Sequence, residues 1–218
     1  MLQTICICGA GTMGGGIAQV SAQSGFDTIL YDVNEELLSK AKTKINQDLQ
    51  RLVEKNKINP ADKQTMLSTF HFTNNINDCV ADIVIEAIIE KMEVKTNLFD
   101  QLSKINSADT IFATNTSSLS VTEMAKTMTY PERFIGMHFF NPAQVMKLVE
   151  VVTTNYTNAE VTSTIVDLAR QLSKTPVHCK DVPGFIVNHV ARPYYLEALR
   201  LIEQGLSDFK TIDLLMEA

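Results

Sequence analysis

Taking a proton from a hydroxyl group near neutral pH calls for a histidine, and an acid must hold and charge-stabilise its ring. His138 lies in the stretch MHFFNP, at the end of a predicted strand, and Glu150 follows 12 residues later in LVEVV. A glutamate in so apolar a run needs a partner if it is buried. Two strands joined by the turn at Asn141-Pro142 would bring it to His138. His71, His178 and His189 have no such acid in an apolar strand nearby and read as structural or surface residues.

A histidine–glutamate pair can take the proton of a hydroxyl but not its hydride, so an acceptor must be held beside it. Gly9, Gly11 and Gly14 form G-x-G-x-x-G directly after the apolar run Ile5–Cys8, and Ile17, Val20 and Ala22 continue at helical spacing. In a strand–turn–helix of this kind the first glycine makes the tight turn, the second lets a pyrophosphate approach the main chain, and the third lets helix and strand pack closely. The helix N-terminus, at Thr12 and Met13, offers free N–H groups to phosphate. A second strand ends at Asp32, roughly twenty residues further on, where an acid hydrogen-bonds the adenine ribose. An acid there repels a ribose 2′-phosphate, so NAD is expected rather than NADP.

The elements needed to position these residues are legible along the chain. Strands are predicted at Thr4–Cys8, Phe26–Tyr31, Phe70–Thr73, Ala81–Ala87, Thr110–Thr114, Arg133–Phe140, Leu148–Thr153 and Pro176–Cys179, with helices between most of them. This alternation is that of an α/β, Rossmann-type doubly wound sheet, whose ligands bind beyond the carboxyl ends of the strands. Asn115, Ser117 and His138 fall at such ends. Residues 1–182 read as this domain, with a helical arm at about 34–68 expected to project from the sheet. The arm carries Lys40, Lys42, Lys44, Arg51, Lys55, Lys57 and Lys63. They read equally as a solvated face or as a contact for a polyphosphate such as coenzyme A.

Pro183-Gly184 reads as a linker, and 183–218 as the start of an all-α C-terminal domain. Helices are expected from Ile186 to Gln204 and, capped by Ser207, beyond it. That segment is too short to bury a core of its own, so the domain reads as truncated. The net charge of −6 disfavours a nucleic-acid binder. No apolar stretch is long enough to span a bilayer, and a chain that enters a strand at once shows no targeting segment. Cys6, Cys8, Cys79 and Cys179 have no metal-ligand spacing, and Cys6 and Cys8 read as small hydrophobes on one side of a buried strand. No metal is expected, and a reduced, cytoplasmic protein is the simplest reading.

The glycine turn with Asp32, VIEAIIE, ATNTSSLS, GMHFFNPAQVMKLVEVV and VPGFIVNHV together resemble the L-3-hydroxyacyl-CoA dehydrogenases, and among them the short bacterial 3-hydroxybutyryl-CoA dehydrogenases. The resemblance covers essentially the whole chain. It implies that His138 is the catalytic base and Glu150 its orienting acid, and that Ser117 and Asn188 hold the substrate oxygen. It further implies NAD contacts from Glu90, Lys95 and Asn115, besides Gly9, Gly11, Thr12, Met13, Gly14, Asp32, Ser117 and Asn141. Coenzyme A would be held partly by the arm, through Lys55 or Lys57. Members of the family continue through further helices that complete the second domain and form most of a dimer contact. A homodimer is therefore expected where that domain is complete. The implied reaction is reversible, NAD-dependent oxidation of the L-3-hydroxyl of a short-chain 3-hydroxyacyl-CoA. Two rivals share the fold: a β-hydroxyacid dehydrogenase acting on a free acid, and a non-catalytic NAD-binding relative.

Overall fold

The structure is a computed structural model and describes residues 2–217. Its centre is one eight-stranded sheet: β1 (Thr4–Cys8), β2 (Asp27–Tyr31), β3 (Phe70–Thr73), β4 (Ile83–Glu86), β5 (Ile111–Thr114), β6 (Phe134–Phe139), β7 (Leu148–Thr153) and β8 (Thr175–Lys180). The spatial order is β3-β2-β1-β4-β5-β6-β7-β8, parallel from β3 through β6. β7 runs antiparallel to β6, and β8 parallel to β7. The chain reverses its winding between β1 and β4, the position where doubly wound sheets open a ligand crevice.

Helices α1 (Thr12–Gln23), α2 (Glu35–Glu54), α3 (Pro60–Ser68), α4 (Met92–Ser103), α5 (Val121–Ala125) and α6 (Ala159–Gln171) cover the two faces. One face buries Ile5 and Ile7 of β1 with Ile17 of α1 and Val161, Ile165 and Leu168 of α6. The other buries Cys6 and Cys8 with Leu98 and Phe99 of α4 and Met124 of α5. Both faces of the central strands are thus apolar, as parallel sheets require.

The arm is docked along much of its length. Leu38, Ala41, Ile45 and Leu49 of α2 are buried in the first core cluster, the leucines and the isoleucine each contributing about 1.5–3 kcal/mol relative to exposure. Asn34 caps α2 by accepting from the amides of Glu36 and Leu37. The distal turn carrying Lys55 and Lys57 is exposed. Asn59 and Asp62 form a reciprocal capping box at the start of α3.

Beyond β8 the chain forms α7 (Val187–Glu203) and α8 (Phe209–Glu217), neither of which buries a residue. The cap of α8 differs from the sequence expectation. Asp208, not Ser207, accepts from the amide of Thr211, the carboxylate standing one residue closer to the free amides of the first turn. Among the described residues no helix is long and apolar enough to cross a membrane.

The cysteines hold one arrangement that spacing did not reveal. Cys79 follows the 3-10 turn Ile76–Asp78 and sits beside Cys6 and Cys8, the three sulfurs lying within 4.8 Å of one another. The contact is made by the neighbouring of β1 and β4, a tertiary event with no local signature.

Candidate active site

β6 and β7 pair so that His138 stands directly opposite Glu150. His138 Nδ1 and Glu150 Oε2 lie 2.7 Å apart, both side chains buried. The antiparallel turn through Asn141-Pro142 thus joins the two residues, and the ring centres of Phe140 and Phe185 lie 4.6 Å and 5.7 Å from that of the imidazole. With Nδ1 engaged by the carboxylate, Nε2 is the nitrogen left free to take a proton.

Glu150 has a second task that sequence reasoning missed. Its Oε1 accepts from the amides of Ile186 and Val187, each at 2.9 Å, at the start of α7. A buried carboxylate so divided is satisfied on both oxygens, and α7 is tied to the His138–Glu150 pair. The turn before α7 is tight: Gly184 has φ +78 and Phe185 φ +48. A Cβ at Gly184 would meet the amide nitrogen of His189 at 2.9 Å.

The glycine turn is built for close approach. A Cβ on Gly14 would stand 1.7 Å from the Gly9 carbonyl oxygen, and one on Gly9 would meet the Ala87 oxygen at 2.6 Å. A Cβ on Gly11 would meet nothing within 4 Å. The first and third glycines therefore serve packing, whereas the second faces open space at the N-terminus of α1. No side chain caps that terminus, so its first amides remain available to a phosphate. Asp32 Oδ2 accepts from the Ala10 amide at 2.7 Å and Oδ1 from the Asn34 amide at 2.9 Å. The acid thus braces the turn, and its remaining lone pairs are available to a ribose. These residues fit an NAD.

Between the turn and the pair lies a cavity of about 370 Å³. Met13, Asn115, Ser117, His138, Asn141 and Asn188 all line it, together with Glu90 and Lys95. Its wall rests on a buried ionic network. Lys95 Nζ lies 2.5 Å from Glu86 Oε1 and 3.0 Å from Glu90 Oε2. Thr114 donates to Glu86 at 2.6 Å and the Ile88 amide donates at 2.7 Å. Glu90 accepts from the Thr116 hydroxyl and, at 3.1 Å, from the Ser117 amide. Burial pushes the Glu86 carboxyl up, opposed chiefly by the charge of Lys95. Burial alone would raise Glu90 as well, but its bonds to Thr116 and Lys95 leave it below the usual carboxylate range. Glu86 and Thr116 were not among the expected site residues. A glutamate inside IVIE, as apolar a setting as that of Glu150, was the available signal. Asn115 Oδ1 accepts from the Phe139 amide at 2.8 Å, tying the end of β5 to the end of β6.

A second, wider groove of about 1090 Å³ runs from Ala10, Gly11 and Thr12 along α2 to Asn141. Lys40, Lys44, Arg51, Lys55 and Lys57 line it. Lys44 and Arg51 are paired with Asp48, but Lys40, Lys55 and Lys57 have no carboxylate partner among the described residues.

Comparison with known proteins places the chain in a family. The model of the 3-hydroxyacyl-CoA dehydrogenase NAD binding domain matches residues 4–182, and that of the 3-hydroxyacyl-CoA dehydrogenase C-terminal domain matches 184–218. The chain is 42% identical over 212 residues to a probable 3-hydroxybutyryl-CoA dehydrogenase of Deinococcus radiodurans, covering 97% of this chain and 76% of that one. It is 41% identical over 224 residues to the human mitochondrial hydroxyacyl-coenzyme A dehydrogenase, covering 100% and 71%. Among solved structures, the 3-hydroxybutyryl-CoA dehydrogenase of Escherichia coli K12 superposes with a TM-score of 0.93 at 44% identity, covering 95% of this chain and 44% of that one. The (S)-3-hydroxybutyryl-CoA dehydrogenase of Ralstonia eutropha gives 0.94 at 37% identity, covering 97% and 75%. The chain belongs to the 3-hydroxyacyl-CoA dehydrogenase family, and its cofactor is NAD.

Proposed function

We propose that the chain catalyses the reversible oxidation of the L-3-hydroxyl of a short-chain 3-hydroxyacyl-CoA to the 3-ketoacyl-CoA. Bound NAD supplies the hydride acceptor. The observation that carries the reading is the buried His138–Glu150 pair, 2.7 Å apart, opening on the cavity beside the glycine turn. His138 Nε2 takes the hydroxyl proton, and the Glu150 carboxylate on Nδ1 stabilises the imidazolium that forms. Ser117 and Asn188 line the same cavity and hold the substrate oxygen. Asp32 receives the adenine ribose, and Gly9, Gly11, Thr12, Met13 and Gly14 the pyrophosphate. Asn141 lines both spaces and belongs to the same cofactor contact set. Glu90, Lys95 and Asn115 complete the cofactor side. Lys55, with Lys57 beside it, meets the phosphates of coenzyme A in the wider groove, which its lack of a carboxylate partner supports.

Residues 1–182 form the nucleotide unit, and 183–218 begin a helical substrate and dimerisation unit. The uncovered apolar side chains of α7 and α8 support a homodimer. The relatives' names support a place in fatty-acid or butanoate metabolism, and the four free cysteines a reduced, cytoplasmic setting.

The test follows NADH absorbance with acetoacetyl-CoA or with free acetoacetate as substrate. Turnover on the CoA ester is expected. Activity on the free acid alone would favour a β-hydroxyacid dehydrogenase, and NADH binding without turnover on either would favour a non-catalytic relative. His138→Gln should lower turnover at least about a hundredfold, the ordinary worth of a general base, with NADH binding retained. Near-normal turnover in that variant removes the mechanism.

A further inference from the structure

Away from the cleft, the face of the sheet beneath α4 holds three cysteines with no part in the reaction. Cys6 and Cys8 alternate on one side of β1, their sulfurs 3.9 Å apart, and Cys79 brings a third sulfur to within 4.8 Å of both. All three residues are 0% exposed. No fourth histidine, cysteine or carboxylate ligand joins them at that distance among the described residues. Cys179, the remaining cysteine, lies on β8 and outside the group.

The cluster is held by its frame rather than by the sulfurs. Cys6 and Cys8 are fixed by the ladders from β1 to β2 and β4. The Cys79 carbonyl accepts from Asn106 Nδ2 at 2.8 Å, and its amide donates to the Ile76 carbonyl at 3.0 Å. A metal bonded to three sulfurs in one plane at about 2.3 Å from each holds them about 4.0 Å apart. The Cys6–Cys8 pair, at 3.9 Å, already stands at that value, and Cys79 lies within 4.8 Å of both. Soft thiolate ligands without nitrogen or oxygen select Cu(I), whereas structural zinc takes a closed set of four. Val80, next to Cys79 in the chain, is 54% exposed.

We infer that Cys6, Cys8 and Cys79 form a three-sulfur site for a soft d10 cation of the Cu(I) class. As each S–Cu bond forms, any proton on that sulfur passes to the solvent. The copper enters as Cu(I), so nothing is oxidised or reduced. Because Cys8 adjoins Gly9, an occupied site would tie β1 to the β3–β4 connection immediately beneath the glycine turn.

The full chain, reduced and free of oxygen, is titrated with Cu(I) against a chromophoric Cu(I) chelator. One Cu(I) per chain should be retained. Cys79→Ala should lose at least about tenfold in retention, and Cys179→Ala should match the parent. No retention by the parent, or retention unchanged in Cys79→Ala, overturns the site. If Cys79→Ala does not fold, X-ray absorption of the copper-loaded parent decides. Three sulfurs at about 2.3 Å are expected, and a shell of two sulfurs or of nitrogen and oxygen overturns it.

Discussion

Lys95 is a cation 1% exposed, set against Glu86 at 0%, and the cost of separating them can be predicted. Removing one member of a buried ion pair leaves the other charged and unpartnered, at about 3–5 kcal/mol. Lys95→Met should therefore lower urea stability by that amount. Lys95→Met combined with Glu86→Gln should lose clearly less than the two single changes together, which equilibrium unfolding of the four proteins measures. Glu90, the half-exposed partner, acts through pH. Its carboxyl titrates below its unfolded value, so its stabilising contribution is complete above the ordinary carboxylate pKa of about 4.3. It fades as pH falls through the lower folded value. The stability gap between parent and Glu90→Gln should thus be present near neutrality and close in acid. At this scale the sequence was most readable where chemistry and burial coincide: Glu150 stood out because an acid in LVEVV has to be paired. The same reasoning applied to Glu86 in IVIE would have found the Lys95 network. Asp32 was expected to serve a ribose, and its bonds to the Ala10 and Asn34 amides add a structural duty that no spacing announces.

Element ends obey the same local rules. Helix α6 stops with Ser173 at φ +58, where the Lys174 amide reaches back to the Ala169 carbonyl at 2.8 Å and the Ser173 amide to that of Arg170 at 2.9 Å. This is the left-handed helix stop that glycine fills best. Ser173→Gly removes the Cβ strain of about 1 kcal/mol, and the melting temperature should rise by about 2–4 °C. An unchanged or lower value would show that the strain is already relieved. Strand and helix positions were legible to within a few residues because a doubly buried sheet demands apolar runs and its crossover helices demand amphipathic ones. The arm was less so. A helix pair longer than a usual crossover suggested projection, yet Leu38, Ala41, Ile45 and Leu49 place most of α2 on the core. Helical periodicity shows that a face is apolar without showing what covers it.

For the molecule as a whole, stability is uneven. The strands β1 and β4–β7 are buried almost throughout, whereas α7 and α8 bury no residue and leave Val190, Tyr195, Phe209 and Leu215 well exposed, as is Leu206 in the turn between them. Amide hydrogen exchange of this chain should accordingly be fast in α7 and α8 and slow in β1 and β4–β7. Equal protection of both would mean that the helices are covered in solution, and a sedimentation measurement would then show an assembly larger than one chain.

The two partners of Glu150 leave the ribosome at different times. One oxygen orients His138; the other waits for the amides of Ile186 and Val187. A ribosome delivers β6 and β7 well before α7, so for an interval the sheet can close around a carboxylate with one oxygen unsatisfied. The groove beside the glycine turn, lined by residues no later than Val145, can thus be complete before Glu150 gains its last partners at Ile186 and Val187.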